Sequence, residues 1–165
     1  MGGLPGGQGR AHAVRLAEEG ADIIAIDVCA QYPPTVVYKM SEPEDLDETV
    51  RQVESLGRRI VAHQADVVDF PALQKAFDDG GAAQLGGVDI VVANAGIGPG
   101  GQSTDDEQWD DVVNVNMKGV WNTVRVAVPT MLTQDRGRLH HPDQLDRWPH
   151  RHSRGLRRDA RLHGS

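Results

Sequence analysis

Two short segments, Asp22-Ile23-Ile24-Ala25-Ile26-Asp27-Val28 and Val88-Asp89-Ile90-Val91-Val92-Ala93, are apolar at nearly every position. A strand with one wet face alternates apolar and polar residues, whereas an unbroken apolar run of this length is what a strand buried on both faces of a parallel sheet requires. The intervening sequence has helical spacing. In residues 8–19 Ala13, Leu16 and Ala17 share a face, with Gly20 as a stop. Ser41-Glu42-Pro43-Glu44 reads as a capping box opening a helix to about Leu56, closed by Gly57. Residues 59–64 read as a further strand, and Asp69 as the cap of a helix to about Leu85, weakened by about 1 kcal/mol at each of Gly80 and Gly81. Thr104-Asp105-Asp106-Glu107 is a second capping box, before a long helix to about Leu132. Strands that alternate with helices predict an α/β fold, a parallel sheet covered on both faces.

Charge divides the chain. Residues 1–135 hold 9 Lys/Arg against 21 Asp/Glu, while residues 136–165 hold 8 Arg against 3 Asp and five of the seven His. The net charge is therefore -12 followed by +5. No run approaches the roughly 18 apolar residues of a membrane span, and the start has no basic and apolar leader, so a cytoplasmic protein with no membrane partner is expected. A single cysteine, Cys29, excludes an internal disulfide and reads as a small buried residue at a strand end.

Gly3-x-x-x-Gly7-x-Gly9 opens the first helix. Residues without Cβ let the backbone approach a pyrophosphate, and the helix N-terminus meets its charge. Alone, such a start is equally a glycine-rich tail. Asp27, at the end of the next strand and 18 residues after Gly9, strengthens the reading, because a carboxylate there accepts hydrogen bonds from both ribose hydroxyls. It also repels a 2′-phosphate, which favours NAD over NADP. The plainer reading of Asp27 is a solvated charge at a strand end.

These residues, with Ala65-Asp66-Val67, Asn94-Ala95-Gly96 and Asn114-Val115-Asn116, fall in an order and spacing that resembles the short-chain dehydrogenase/reductase family over roughly residues 3–135. Gly7-Gln8-Gly9-Arg10, Asp27-Val28-Cys29-Ala30-Gln31 and the extended segment before Pro43 resemble its mycofactocin-coupled, carveol-dehydrogenase-like actinobacterial branch. The resemblance implies a doubly wound Rossmann sheet, NAD as cofactor, and interconversion of a secondary alcohol and a ketone by hydride transfer. It also implies homo-tetrameric assembly. By the same resemblance Gly3, Gly7, Gln8 and Gly9 cradle the pyrophosphate, Asp66 bonds the adenine amino group with Val67 beside the ring, and Asn94, Ala95 and Gly96 wall the cleft. Asn116 matches the catalytic Asn that holds a water in the proton relay. Read singly, Asp66 is equally a turn residue, Asn94 one that tolerates left-handed φ, and Asn116 a polar helix position.

The pattern departs from the family at both ends. The first strand, central in the doubly wound order, should precede Gly3, where only Met1 and Gly2 stand. Its loss leaves backbone donors and acceptors unpaired inside the core, at about 1–3 kcal/mol each. A start chosen too far downstream would produce this end. After Gly137-Arg138 the family continues with a strand, a catalytic Ser and a Tyr-x-x-x-Lys, but no Tyr follows Tyr38 here. That Tyr is the general acid/base, its pKa lowered by the Lys. Read one nucleotide later, the codons of residues 143–148 admit Thr-Ser-Ser-x-Ala-Gly and those of 161–164 admit Gly-Tyr-Thr-Ala. The expectation is a frameshifted product from about Leu139 onward.

Two domains are thus expected. Residues 1–138 form an incomplete NAD-binding Rossmann domain lacking its first strand, and residues 139–165 an irregular basic tail, disordered or non-native. A nucleic-acid role for the tail is disfavoured by the acidic remainder and by Trp148 as its one aromatic. A metal role is disfavoured because His140-His141 and His150-x-His152 lack the i, i+4 spacing and acidic partners of common zinc sites. Without Ser, Tyr and Lys the chain is expected to be catalytically incompetent, and the alternative is a non-enzymatic dinucleotide-binding protein.

Overall fold

The computed structural model describes residues 7–31, 35–98 and 105–134. Gly3, Thr104 and the 139–165 tail, together with the expectations attached to them, lie outside the described residues.

Helix α1 (Gln8–Glu18) starts from Gly7 and ends before Gly20, whose φ of +97° suits a residue without Cβ. It leads into strand β1 (Ile23–Asp27), which pairs in parallel with β2 (Ile60–Gln64), Ile23 opposite Ile60 and Asp27 opposite Gln64. Helix α2 (Pro43–Ser55) crosses between them. The unbroken apolar run of β1 is explained by what covers it. Ile23 and Ala25 pack with Ala13, Ala17 and Val53 of α1 and α2. Ile24 and Ile26 point the other way, onto Leu73, Phe77 and Val126. Both faces are covered, with Ile23 buried and Ile24 and Ile26 partly buried, in keeping with the composition of the run.

The other face is built by α3 (Phe70–Phe77) and α6 (Gly119–Thr133). Asp69 caps α3 as expected, accepting from the Ala72 N–H at 3.1 Å. The helix then widens into a π-helical turn, Asp78–Ala82, before a last short helix α4 (Ala83–Leu85). Gly80 is buried there, and a Cβ on it would lie 2.3 Å from His63 Nε2. Gly80, one of the two glycines expected to weaken the helix, is what lets the chain close over the His63 ring. Helix α5 (Asp106–Val113) and α6 are joined by a second π-helical turn, Asn114–Lys118, where the sequence predicts one uninterrupted helix.

Two expectations are corrected. The capping box of α2 lies one residue later than Ser41, with Asp45 accepting from the Glu42 N–H at 3.0 Å. Pro43 at the first helical position fixes Glu42 as the N-cap, and the Ser41 hydroxyl is turned to Asp27 instead. Residues 88–93, the clearest strand by sequence, belong to no ladder among the described residues. Val88 is anchored through its N–H to Gln134 Oε1 at 2.9 Å, but Ile90 and Val92 are 62% and 47% exposed. A strand exists by pairing, and this segment has no partner strand among the described residues. Among the described residues no helix is long and apolar enough to cross a membrane.

Candidate functional site

A cavity of about 590 Å³ lies between α1, β1 and residues 88–95, and Gly9, Asp27, Val67, Asn94 and Ala95 all line it. Five of the residues singled out by sequence are thereby brought to one place. Gly7 is the N-cap of α1 and Gln8 its first residue. No acidic side chain stands in the first turn of α1, so none there offsets the positive end of the helix dipole. A Cβ on Gly9 would stand 3.1 Å from Asn94 Nδ2, so the close approach of α1 to the loop after residue 93 favours glycine there.

Asp27 closes β1. Its Oδ1 accepts from the Cys29 N–H at 2.9 Å and from the Ser41 hydroxyl. These two bonds, with a third from the Cys29 thiol, fix the carboxylate. A carboxylate can accept about four hydrogen bonds, so capacity remains for a ligand. Cys29 takes the left-handed conformation, φ +45°, and is buried as expected. Burial, and secondarily the negative Asp27, push its thiol up to about 12 from an ordinary 9.0, so it is no nucleophile.

The remaining sequence candidates, Asp66, Gly96 and Asn116, support the site from behind. Asp66 Oδ1 accepts from the Val68 N–H at 2.9 Å and shapes its own turn. Asn116 holds the Gly96-Ile97 loop from both sides, its Oδ1 accepting from Ile97 N–H and its Nδ2 donating to Ile97 C=O, each at 2.8 Å. A Cβ on Gly96 would lie 3.3 Å from that Oδ1. Asn116 sits in the π-helical turn that breaks the predicted long helix, which is what aims its amide at the loop.

Three supports were not read from the sequence. Asn122, 1% exposed, donates to Val67 C=O at 2.8 Å. Gly119 lets α6 approach Val67, since a Cβ there would lie 2.5 Å from Val67 Cγ2. Tyr38 accepts from Gly98 N–H at 3.0 Å, tying the segment before α2 to the loop after residue 93. Asn122 had a faint signal, a polar residue beside Val120, Trp121 and Val124 in a mostly apolar helix; the other two had none. No cluster of metal-ligating side chains occurs among the described residues.

A helix opened by glycine, an acidic strand end and a loop packed against both, at one edge of a parallel α/β layer, define a Rossmann-type fold. The family model for short chain dehydrogenases matches residues 2–139, and the chain belongs to that family. It is 56% identical over 138 residues to a short-chain type dehydrogenase/reductase of Mycolicibacterium smegmatis, covering 82% of this chain and 49% of the relative. It is 43% identical to the (-)-trans-carveol dehydrogenase of Rhodococcus erythropolis, again over 82% of this chain and 49% of that protein. Among solved structures, carveol dehydrogenase from Mycobacterium avium in complex with NAD superposes with a TM-score of 0.75 at 52% identity, over 79% of this chain and 48% of that one. The chain spans about half the length of the curated relatives it matches.

Proposed function

We propose that this chain carries the NAD-binding part of an oxidoreductase that interconverts a secondary alcohol and a ketone, and that by itself it binds the dinucleotide without turning substrate over. The observation that carries this reading is the convergence of Gly9, Asp27 and Asn94 on one cavity, with the Asp27 carboxylate still able to accept. The α1 N-terminus, from Gly7 through Gln8 and Gly9, receives the pyrophosphate. Asp27 accepts from the adenosine ribose hydroxyls and repels a 2′-phosphate, so NAD is preferred over NADP. The turn at Asp66 and Val67 flanks the adenine, and Asn94, Ala95 and Gly96 form the wall toward the nicotinamide.

NAD supplies a hydride acceptor when bound. The acid/base that moves the hydroxyl proton in the family is a Tyr, and none follows Tyr38 in this sequence. Asn116, committed to Ile97, then acts by holding the loop, and any part in a proton relay requires that Tyr and its Lys. We further propose self-association through the apolar face of α5 and α6, where Trp109, Met117, Trp121 and Leu132 are exposed. Sedimentation velocity checks this, with a particle larger than the monomer as the expected result.

The cofactor reading is tested by calorimetric titration of NAD and NADP into wild type and Asp27→Ala. NAD binds wild type more tightly than NADP does, and the substitution weakens NAD by about ten- to a hundredfold, the size of hydrogen bonds to a charged group. Equal affinity for the two cofactors, or an Asp27→Ala protein that binds NAD as well as wild type, contradicts it.

A further inference from the structure

Residues 35–41 connect two walls of the cavity, Asp27 and the loop that continues from Asn94 and Ala95, and form neither helix nor strand. A segment with no ladder must satisfy its backbone groups otherwise, and here one side chain serves three of them. Gln31 Nε2 donates to Val36 C=O at 3.0 Å and to Tyr38 C=O at 3.1 Å, and its Oε1 accepts from Met40 N–H at 3.2 Å. The end of the segment is fastened to Asp27, the Ser41 hydroxyl donating to its Oδ1. Its middle is fastened to the loop, where Tyr38 Oη accepts from Gly98 N–H at 3.0 Å and Asn116 clasps the adjoining Ile97. Val36 and Met40 share a buried cluster with Ile97 and Val115, so this contact is apolar as well as hydrogen-bonded. Thr35 anchors the start to α5, its hydroxyl donating to Asp111 Oδ2 at 2.5 Å and its C=O accepting from buried Gln108.

We propose that Tyr38 is a positioning residue that couples the two halves of the dinucleotide site, so that filling the ribose position at Asp27 sets the loop at Gly98. The inference rests on the NAD reading of the cleft and deepens it, because that reading puts the adenosine ribose at Asp27 and the nicotinamide beside residues 94–96. Asp27 Oδ1 already accepts from the Cys29 N–H and the Ser41 hydroxyl. A ribose hydroxyl donating to the same carboxylate competes for its acceptor capacity and redirects the Ser41 bond. Ser41 adjoins Met40, which Gln31 ties to Tyr38, so the change reaches the phenol oxygen instead of dissipating within the segment. From there it passes to the Gly98 N–H, and so to the loop that Asn116 holds. A packed and hydrogen-bonded series of this kind is a physical route by which coupling travels. Tyr38 and Gly98 stand outside the cavity lining, so their part is arrangement and not contact with the cofactor. The coupling is positive, because a loop ordered by one half of the ligand costs less to order for the other.

The test titrates adenosine monophosphate, which supplies only the adenosine half, into the isotopically labelled full chain, as wild type and as Tyr38→Phe. The substitution keeps the ring in its apolar contacts and removes the oxygen that Gly98 bonds. In wild type the amides of Cys29, bonded to Asp27, and of Gly98 shift along one saturation curve. In Tyr38→Phe the Cys29 shift saturates as before and the Gly98 shift is lost, a selectivity that a purely structural role for Tyr38 would not give. Saturating adenosine monophosphate also tightens nicotinamide mononucleotide by about fivefold or more in wild type, the lower end of ordinary coupling, and has no such effect in the variant. Ser41→Ala cuts the same series at Asp27 and gives the same pattern, and it decides the matter if Tyr38→Phe does not fold. A Gly98 amide that ignores adenosine monophosphate while Cys29 responds, or that responds equally in wild type and variant, overturns the coupling and leaves the cofactor reading standing. A wild-type Cys29 amide indifferent to both adenosine monophosphate and NAD overturns the two together.

Discussion

The β1 strand and the 88–93 segment are nearly matched in sequence and opposite in fate. Each is a short apolar run ending in a polar residue, Asp27 in one and Asn94 in the other. β1 has β2 on one edge and helices on both faces, and becomes a strand with Ile23 7% exposed. The 88–93 segment has Val88 and Val91 against the α3 and α6 core but no strand beside it among the described residues, and leaves Ile90 62% exposed. Apolar sequence specifies a preference to be covered; a ladder requires a partner, and the partner decides which run is realised.

The largest expected effect compares the two regions directly. Ile23→Ala costs about 3 kcal/mol in urea unfolding, because it empties a buried position. Ile90→Ala costs under about 0.5 kcal/mol, because its side chain is mostly in water already. Equal costs would erase the distinction between the two regions. Next in size, Asn122→Ala removes the buried donor to Val67 C=O and costs about 1–3 kcal/mol, visible in the same unfolding curves. A loss confined to cofactor affinity, with stability intact, would mean that Asn122 serves the site without supporting the core.

The smallest effect concerns Asp22 at the start of β1. The backbone and side-chain bonds from Arg59 hold its carboxyl below the ordinary 3.8. A lowered folded-state pKa contributes stability that is present above about 3.8 and is lost as pH falls through the folded value. Asp22→Asn therefore flattens the fall of melting temperature at acid pH and changes little near neutrality. An unchanged acid profile would show that the Arg59 contacts do not hold the strand start.

The α/β alternation, β1, β2 and the helix starts at Gln8 and Asp69 were legible because each depends on local spacing and on one cap. Gly9, Asp27 and Asn94, singled out as spaced signatures, are brought by the fold to one cavity. The turn of the Ser41 hydroxyl to Asp27, a contact 14 residues apart in sequence, was not legible. Nor were the π-helical turns at Asp78–Ala82 and Asn114–Lys118, which answer to His63 under Gly80 and to the Ile97 loop beside Asn116. Local patterns report local preference, and these features are set by distant partners.

We propose that the β1 side of the molecule is a formed dinucleotide cleft. Titration of NAD into isotopically labelled chain, followed by amide NMR shifts, tests it most directly. Saturable shifts are expected at Gly9, at Cys29, whose N–H is bonded to Asp27, and at Val67, with NADP producing weaker shifts at the same residues. Shifts that do not saturate, or that fall on other residues, would contradict it.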